Sequence, residues 1–239
     1  MLPINTLLIY PTIIIHGIGG NTHDLSEFKN SLENYGVDVF NIEIGNGKVD
    51  SIIWNMNKQC KVLSENIDKL NIQSNKINII GISQGGLLAR CYVEKYSHCI
   101  KKVHSLITYG TPHMGIYNLW IQLKHLDYWK NPYKYLEYLE DNDFLVYLNN
   151  DKTHLDMELY KDNMISLDYF LIVWSNLDKV ITPLESAKFE FYNISDAVNN
   201  RNLKIIDFNN STIFLKDTLG LRHLYENNKM KIKQYNCNH

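Results

Sequence analysis

Four short stretches of this chain, residues 12–15, 77–82, 103–109 and 169–174, are dominated by apolar and β-branched residues. Runs of that length and makeup read as strands buried on both faces, the pattern of a parallel sheet. Residues 37–44 (V-D-V-F-N-I-E-I) alternate well enough for a further strand, closed by Gly45-Asn46-Gly47. Between these strands Ile52, Ile53, Met56, Cys60, Leu63, Ile67 and Leu70 recur at steps of three and four, which predicts one long amphipathic helix. Residues 25–35 and 86–93 predict two more helices. The alternation of strand and helix specifies a mostly parallel central sheet with right-handed crossovers and helices on both faces.

From residue 116 to 166 the strand signal disappears and Tyr, Leu and Asp accumulate. Trp120, Leu123, Leu126, Tyr128, Trp129, Tyr133, Tyr135, Leu136, Tyr138 and Leu139 suit short amphipathic helices, so this segment is expected to be a helical cap insertion over the carboxyl ends of the strands. Its aromatic content fits an acyl pocket and equally fits packing without a ligand. Residues 203–208 and 229–235 are two further strand candidates, with a polar loop at 217–221 between them. A length of 239 residues with no linker composition predicts one α/β domain over 1–239.

Charge changes this picture little. Lys and Arg total 24 against 26 Asp and Glu, a net charge of −2, which excludes the basic stripe of a nucleic-acid surface. The longest apolar run, residues 7–15, is broken by Pro11 and is too short to span a bilayer. The N-terminus lacks a basic region and a small-residue cleavage site, so no secretory leader is visible. Cys60, Cys91, Cys99 and Cys237 have neither metal spacing nor a C-x-x-C pair, and are expected to be small buried hydrophobes. Asn193, Asn209 and Asn210 open glycosylation triplets that do not settle the compartment.

Candidate chemistry centres on Gly81-Ile82-Ser83-Gln84-Gly85, where an apolar strand stops and a helix starts. This is the context of a nucleophile elbow, and the backbone N–H groups of the following helix would face an oxyanion on Ser83. The same five residues also read as an ordinary strand-to-helix turn. His16-Gly17-Ile18-Gly19-Gly20 follows the first strand, and the Ile18 N–H is a candidate second oxyanion donor, with the His16 imidazole read as structural. A serine hydroxyl needs a neighbouring base. Ser83, Asp178 and His239 run in the chain order Ser, acid, His, each just past a predicted strand. Asp178 also reads as a turn residue. His113 in Gly110-Thr111-Pro112-His113-Met114-Gly115 competes as the base, although it precedes the acid.

Several motifs resemble those of the palmitoyl-protein thioesterase family. They are I-I-I-H-G-I-G at residues 13–19, N-I-E-I-G-N at 41–46, G-I-S-Q-G-G at 81–86, Y-W-K-N-P at 128–132, D-K-V-I-T-P-L-E-S at 178–186 with the F-E-F-Y that follows, and D-T-L-G-L at 217–221. They run in family order over nearly the whole chain. The resemblance implies an α/β-hydrolase with Ser83 as nucleophile, Asp178 as acid, His239 as base, and the backbone N–H groups of Ile18 and Gln84 as oxyanion donors. His16, Gly17 and His113 are candidate supporting residues, and neither metal nor organic cofactor is implied.

The implied reaction is hydrolysis of a long-chain fatty acyl thioester, palmitoyl-cysteine in a protein or peptide, through an acyl-enzyme. Members usually carry a secretory leader, for the lysosome or the outside of the cell, and a last helix after the catalytic His. The sequence here stops at His239, which predicts a loosely held His loop with a carboxylate beside the imidazole. The family's disulfides do not map onto these four cysteines. Two other readings stay open: a lipase or carboxylesterase acting on oxyesters, and a non-catalytic acyl-binding protein of the same fold.

Overall fold

The computed structural model describes residues 9–118, 126–199 and 201–239. In chain order the first half comprises β1 (Thr12–Ile15), α1 (Ser26–Asn34), β2 (Val39–Ile42), α2 (Asp50–Ile53), α3 (Met56–Lys69), β3 (Lys76–Ile82), α4 (Gln84–Tyr96) and β4 (Lys102–Tyr109). Then come α5 (Tyr135–Asp141), α6 (Leu145–Leu148), α7 (Met157–Ile165), β5 (Tyr169–Ser175), β6 (Phe191–Tyr192), α8 (Ile194–Val198), β7 (Ile205–Ile206), α9 (Thr212–Leu215), α10 (Leu221–Glu226) and β8 (Met230–Tyr235).

Six strands form one parallel sheet in the order β2-β1-β3-β4-β5-β8. Successive side chains of a strand point to opposite faces, so β1 and β3 each feed two cores. Ile13, Ile15, Ile77 and Ile79 join Leu63, Ile67, Leu87 and Leu88 of α3 and α4. Ile14, Ile80, Ile107, Leu171 and Val173 join Leu25 and Leu32 on the α1 face. Burial on both faces explains why these strands read as nearly continuous apolar runs. All carboxyl ends lie along one edge, where a ligand site is expected in an open parallel sheet.

Several expectations are corrected by the packing. The long helix predicted over residues 52–70 is two helices, because Trp54 is extended and Asn55 starts a new helix by accepting a hydrogen bond from the Lys58 N–H. The Gln59 side chain holds the break by donating to the Trp54 carbonyl. Ile52 and Ile53, which extended the helical periodicity, are solvent-exposed. Residues 203–208 contribute no strand to the central sheet: β7 pairs only with β6, antiparallel. The polar loop at 217–221 is in fact largely buried, and the Asp217 carboxylate accepts from the Arg222 N–H at the start of α10. Cys60 and Cys91 are bonded to each other, tying α3 to α4, while Cys99 and Cys237 are exposed. Neither pair behaves as simple buried hydrophobes.

Trp120 and Leu123 lie outside the described residues, but the rest of the β4–β5 segment forms α5, α6 and α7, with Tyr128, Tyr138, Phe144, Leu145, Val146 and Leu148 buried. It is pinned by Arg90 of α4, which is fully buried. Arg90 donates to the Glu94 carboxylate (2.7 Å), the Leu148 carbonyl (2.7 Å) and the Asn149 side-chain oxygen (2.6 Å). A charge taken wholly out of water is tolerable only with such a set of partners. Arg90→Met should therefore cost about 3–5 kcal/mol in a denaturant titration, because it leaves the Glu94 carboxyl, which burial pushes up to about 7 even beside Arg90, enclosed without its partner. The double variant Arg90→Met/Glu94→Leu should regain a large part of that loss.

Candidate active site

The turn from β3 into α4 places Ser83 at φ 54, ψ −124, a conformation that residues with a Cβ rarely adopt. Its N–H donates to the Tyr109 carbonyl of β4 (2.7 Å), and its carbonyl accepts from Gly86 (3.0 Å). The turn is possible only because β3, β1 and α4 touch there. A Cβ on Gly81 would collide with the Gly85 backbone, and one on Gly85 with the carbonyls of Ile15 and His16.

Ser83 Oγ lies 2.9 Å from His239 Nε2, and His239 Nδ1 lies 2.8 Å from Asp178 Oδ2. The second Asp178 oxygen accepts from the backbone N–H groups of Val180 (2.8 Å) and Ile181 (3.1 Å). Burial is the largest influence on the Asp178 carboxyl and pushes its pKa up. The hydrogen bonds from His239, Val180 and Ile181 together outweigh it and hold the group below the ordinary aspartate value. Both Asp178 oxygens are thus spent on positioning and on the imidazole.

The expected loose His loop is instead tied down at the end of β5. Ser175 Oγ donates to the Cys237 carbonyl (2.5 Å) and accepts from the N–H groups of Cys237 (3.3 Å) and Leu177 (3.0 Å). One hydroxyl therefore joins the turn that carries Asp178 to the tail that carries His239. Gly110, at φ +50, lets the tail approach: a Cβ there would stand 3.2 Å from the His239 ring. Nothing in the sequence pattern singles out Ser175, a polar residue at a strand end.

Gln84 and the loop that carries Ile18 flank the serine. A Cβ on Gly17 would lie 3.0 Å from Ser83 Cβ, so the loop carrying Ile18 runs directly against the elbow. Gln84 is the first residue of α4, and its N–H has no carbonyl one turn earlier to bond. Its side chain is locked: Nε2 donates to the Ser51 carbonyl (2.8 Å) and the Gln59 oxygen (3.0 Å), and Oε1 accepts from Tyr128 OH (3.0 Å). Tyr128 is a second residue whose role sequence reasoning missed.

His16 is buried, and its Nε2 accepts from the Ile44 N–H (3.2 Å) while Nδ1 faces the Gly17 carbonyl (2.9 Å). It fastens the glycine loop to the segment just after β2. His113 is not brought to the serine. It is fully buried, bonded through Nε2 to Thr108 Oγ1 (2.9 Å) and stacked on Phe189. Burial, and then the Arg90 charge, push its pKa well below the usual histidine value.

An apolar pocket of about 260 Å³ borders Asp178 and His239, walled by Phe28, Ile82, Tyr109, Val173 and Trp174. Among the described residues, the β4–β5 segment contributes only Gly110, immediately after β4, to its lining. That segment instead lines a separate cavity of about 490 Å³ with residues of the 189–218 region, Lys130 and Phe191 among its walls. Among the described residues no group of His, Cys, Asp and Glu converges in a way that suits a metal ion.

The family model described as palmitoyl protein thioesterase matches residues 11–126 and 117–239. Palmitoyl-protein thioesterase 3 of Dictyostelium discoideum is 30% identical over 252 residues, covering 96% of this chain and 84% of that protein. The lysosomal thioesterase PPT2 homolog of Drosophila melanogaster is 27% identical, with 95% and 84% covered. Among solved structures, the lin2722 gene product of Listeria innocua superposes with a TM-score of 0.51 at 15% identity, covering 96% of this chain and 84% of that one. The thioesterase domain from the curacin biosynthetic pathway gives 0.50 at 15% identity, with 97% and 86% covered. At such identities the structures speak for the fold alone, an α/β-hydrolase. With both halves of the chain matched by the family model, the protein belongs to the palmitoyl-protein thioesterase family.

Proposed function

We propose that the protein hydrolyses long-chain fatty acyl thioesters of cysteine, in proteins or peptides, through an acyl-enzyme on Ser83. The observation that carries this reading is the unbroken relay from Ser83 Oγ through His239 to Asp178 at a strained elbow. Family membership supplies the thioester.

His239 Nε2 takes the Ser83 proton as Oγ attacks the thioester carbonyl carbon. Asp178 on Nδ1 keeps the imidazole in the tautomer whose Nε2 is free to accept. The oxyanion forms between the backbone N–H groups of Ile18 and Gln84, and the positive end of α4 adds to their field. Collapse breaks the C–S bond, and the proton on His239 passes to the departing sulfur. Water then attacks the acyl-serine, gives its proton to His239, and the fatty acid leaves as Ser83 regains the proton. Ser175 is a positioning residue, since it touches only the backbones that carry the acid and the base.

Turnover of a graded series of acyl thioesters and matched oxyesters tests the assignment. The intact chain should favour long thioesters, and Ser83→Ala should lose activity on the order of a million-fold. Unchanged turnover in that variant removes the assignment, and a preference for oxyesters replaces it with an esterase. Asp178→Asn should lower kcat by about ten-thousand-fold with KM little changed, as expected when the tautomer is wrong. For Ser175→Ala the expected loss is smaller, roughly tenfold to a hundredfold in kcat from misplacement of the base, with activity restored by Ser175→Thr.

A further inference from the structure

Two turns leave the carboxyl edge of the sheet on either side of Ser83. The first follows β2 and runs through α2, carrying Lys48, Val49, Ile52 and Ile53. It sits against the elbow: Ser51 Oγ accepts from the Gly19 N–H (2.9 Å) and the Ser51 carbonyl from the Gln84 side chain. The second follows β5, where Leu177, Lys179 and Val180 surround Asp178. Strands β2 and β5 are four places apart in the sheet order, which at roughly 4.8 Å per strand separates the turns by about 19 Å with Ser83 between them.

Val49, Ile52, Ile53, Leu177 and Val180 are between 45% and 67% exposed, although each is aliphatic. Single exposed apolar residues are ordinary, but five that gather on two turns flanking one site are not. Of the acidic residues on these connections, Asp50 and Asp178 are buried and Glu43 is partly buried, taken up by the Thr22 N–H and hydroxyl, so the charges that stand well exposed there are Lys48 and Lys179. The rim is thus aliphatic and cationic at once.

We propose that this rim is a docking surface for a lipid bilayer carrying anionic headgroups. The aliphatic tips enter the boundary between headgroups and acyl chains, and the two lysines lay their stems along it with the ammonium groups among lipid phosphates and carboxylates. A thioester-linked acyl chain is itself dissolved in such a bilayer, so a mouth held at the surface meets its carbonyl without the chain first crossing water. That use of the surface rests on the proposed activity; the binding itself does not.

Co-sedimentation of the full chain with vesicles, of phosphatidylcholine alone and mixed with phosphatidylserine, tests the proposal without any turnover. The chain should partition onto the mixed vesicles and be released by salt. Ile52→Ser/Ile53→Ser and Leu177→Ser/Val180→Ser should each weaken partitioning about tenfold or more. Lys48→Glu/Lys179→Glu should remove the preference for the anionic mixture. Tyr35→Ser is the control: Tyr35 is also well exposed but caps α1, which returns the chain to the opposite edge of the sheet. All these positions are exposed, and matched thermal unfolding midpoints establish that each variant is folded. No partitioning by the parent chain, variants that bind as tightly as the parent, or an equal loss in Tyr35→Ser would overturn the proposal. So would capture of a lipid-free S-acylated peptide through the same residues with no affinity for vesicles. Loss of thioester turnover with vesicle binding intact would count against the proposed activity only.

Discussion

The sharp reversal at Ser83 is the constraint around which the rest is built. A residue with a Cβ held at positive φ costs on the order of 1–3 kcal/mol, and it persists only where the surroundings leave no alternative. Those surroundings are specific: the Ser83 N–H is taken by β4, its carbonyl by α4, and the helix behind it lies so close to β1 and β3 that glycine alone fits at 81 and 85. The central strands are buried on both faces, and their packing offsets the local cost many times over. What the strain achieves is exposure of one hydroxyl at the edge where every strand ends.

Two groups from remote parts of the chain line up behind that hydroxyl, His239 against it and Asp178 against His239. Asp178 and His239 lie 61 residues apart, and His239 lies 156 from Ser83. Parallel pairing of β5 with β8 carries both to the same edge, with Ser175 opposite Tyr235 in the register. Pairing fixes backbones only to the ends of the strands. Beyond them the Ser175 hydroxyl continues the work, using its single proton and two lone pairs on three backbone groups. The Gln84 side chain serves the other flank in the same way, joining the helix behind Ser83 to the β4–β5 segment through Tyr128.

Much of this was legible in the residues. Runs such as I-N-I-I-G-I and Y-F-L-I-V-W announce doubly buried strands because no other element of that length tolerates so little polarity. The Ser, acid and His candidates follow from chain order and strand ends. The failures have physical causes. Periodicity carried a helix through Trp54 because Ile52 and Ile53 fall in phase, yet the side chains of Asn55 and Gln59 compete for the backbone there. The Cys60–Cys91 pairing is invisible in spacing, since it depends on which faces of α3 and α4 meet across β3. Residues 203–208 do hold a short strand, β7, but it pairs with β6 and does not join the six-stranded sheet, which composition could not tell. Arg90 looks like any helical arginine until tertiary packing encloses it.

The bond between Cys60 and Cys91 has a consequence of a different kind. Both side chains are essentially inaccessible to solvent, sandwiched between the helix that begins after Ser83 and its neighbour. Exchange with a dissolved thiol needs direct attack on one of the sulfurs. Once the helices have closed over it, the bond is sealed from such attack until they part. Exchange of this pair with a dissolved thiol is therefore tied to local opening of the two helices, not to the thiol's access to the folded surface.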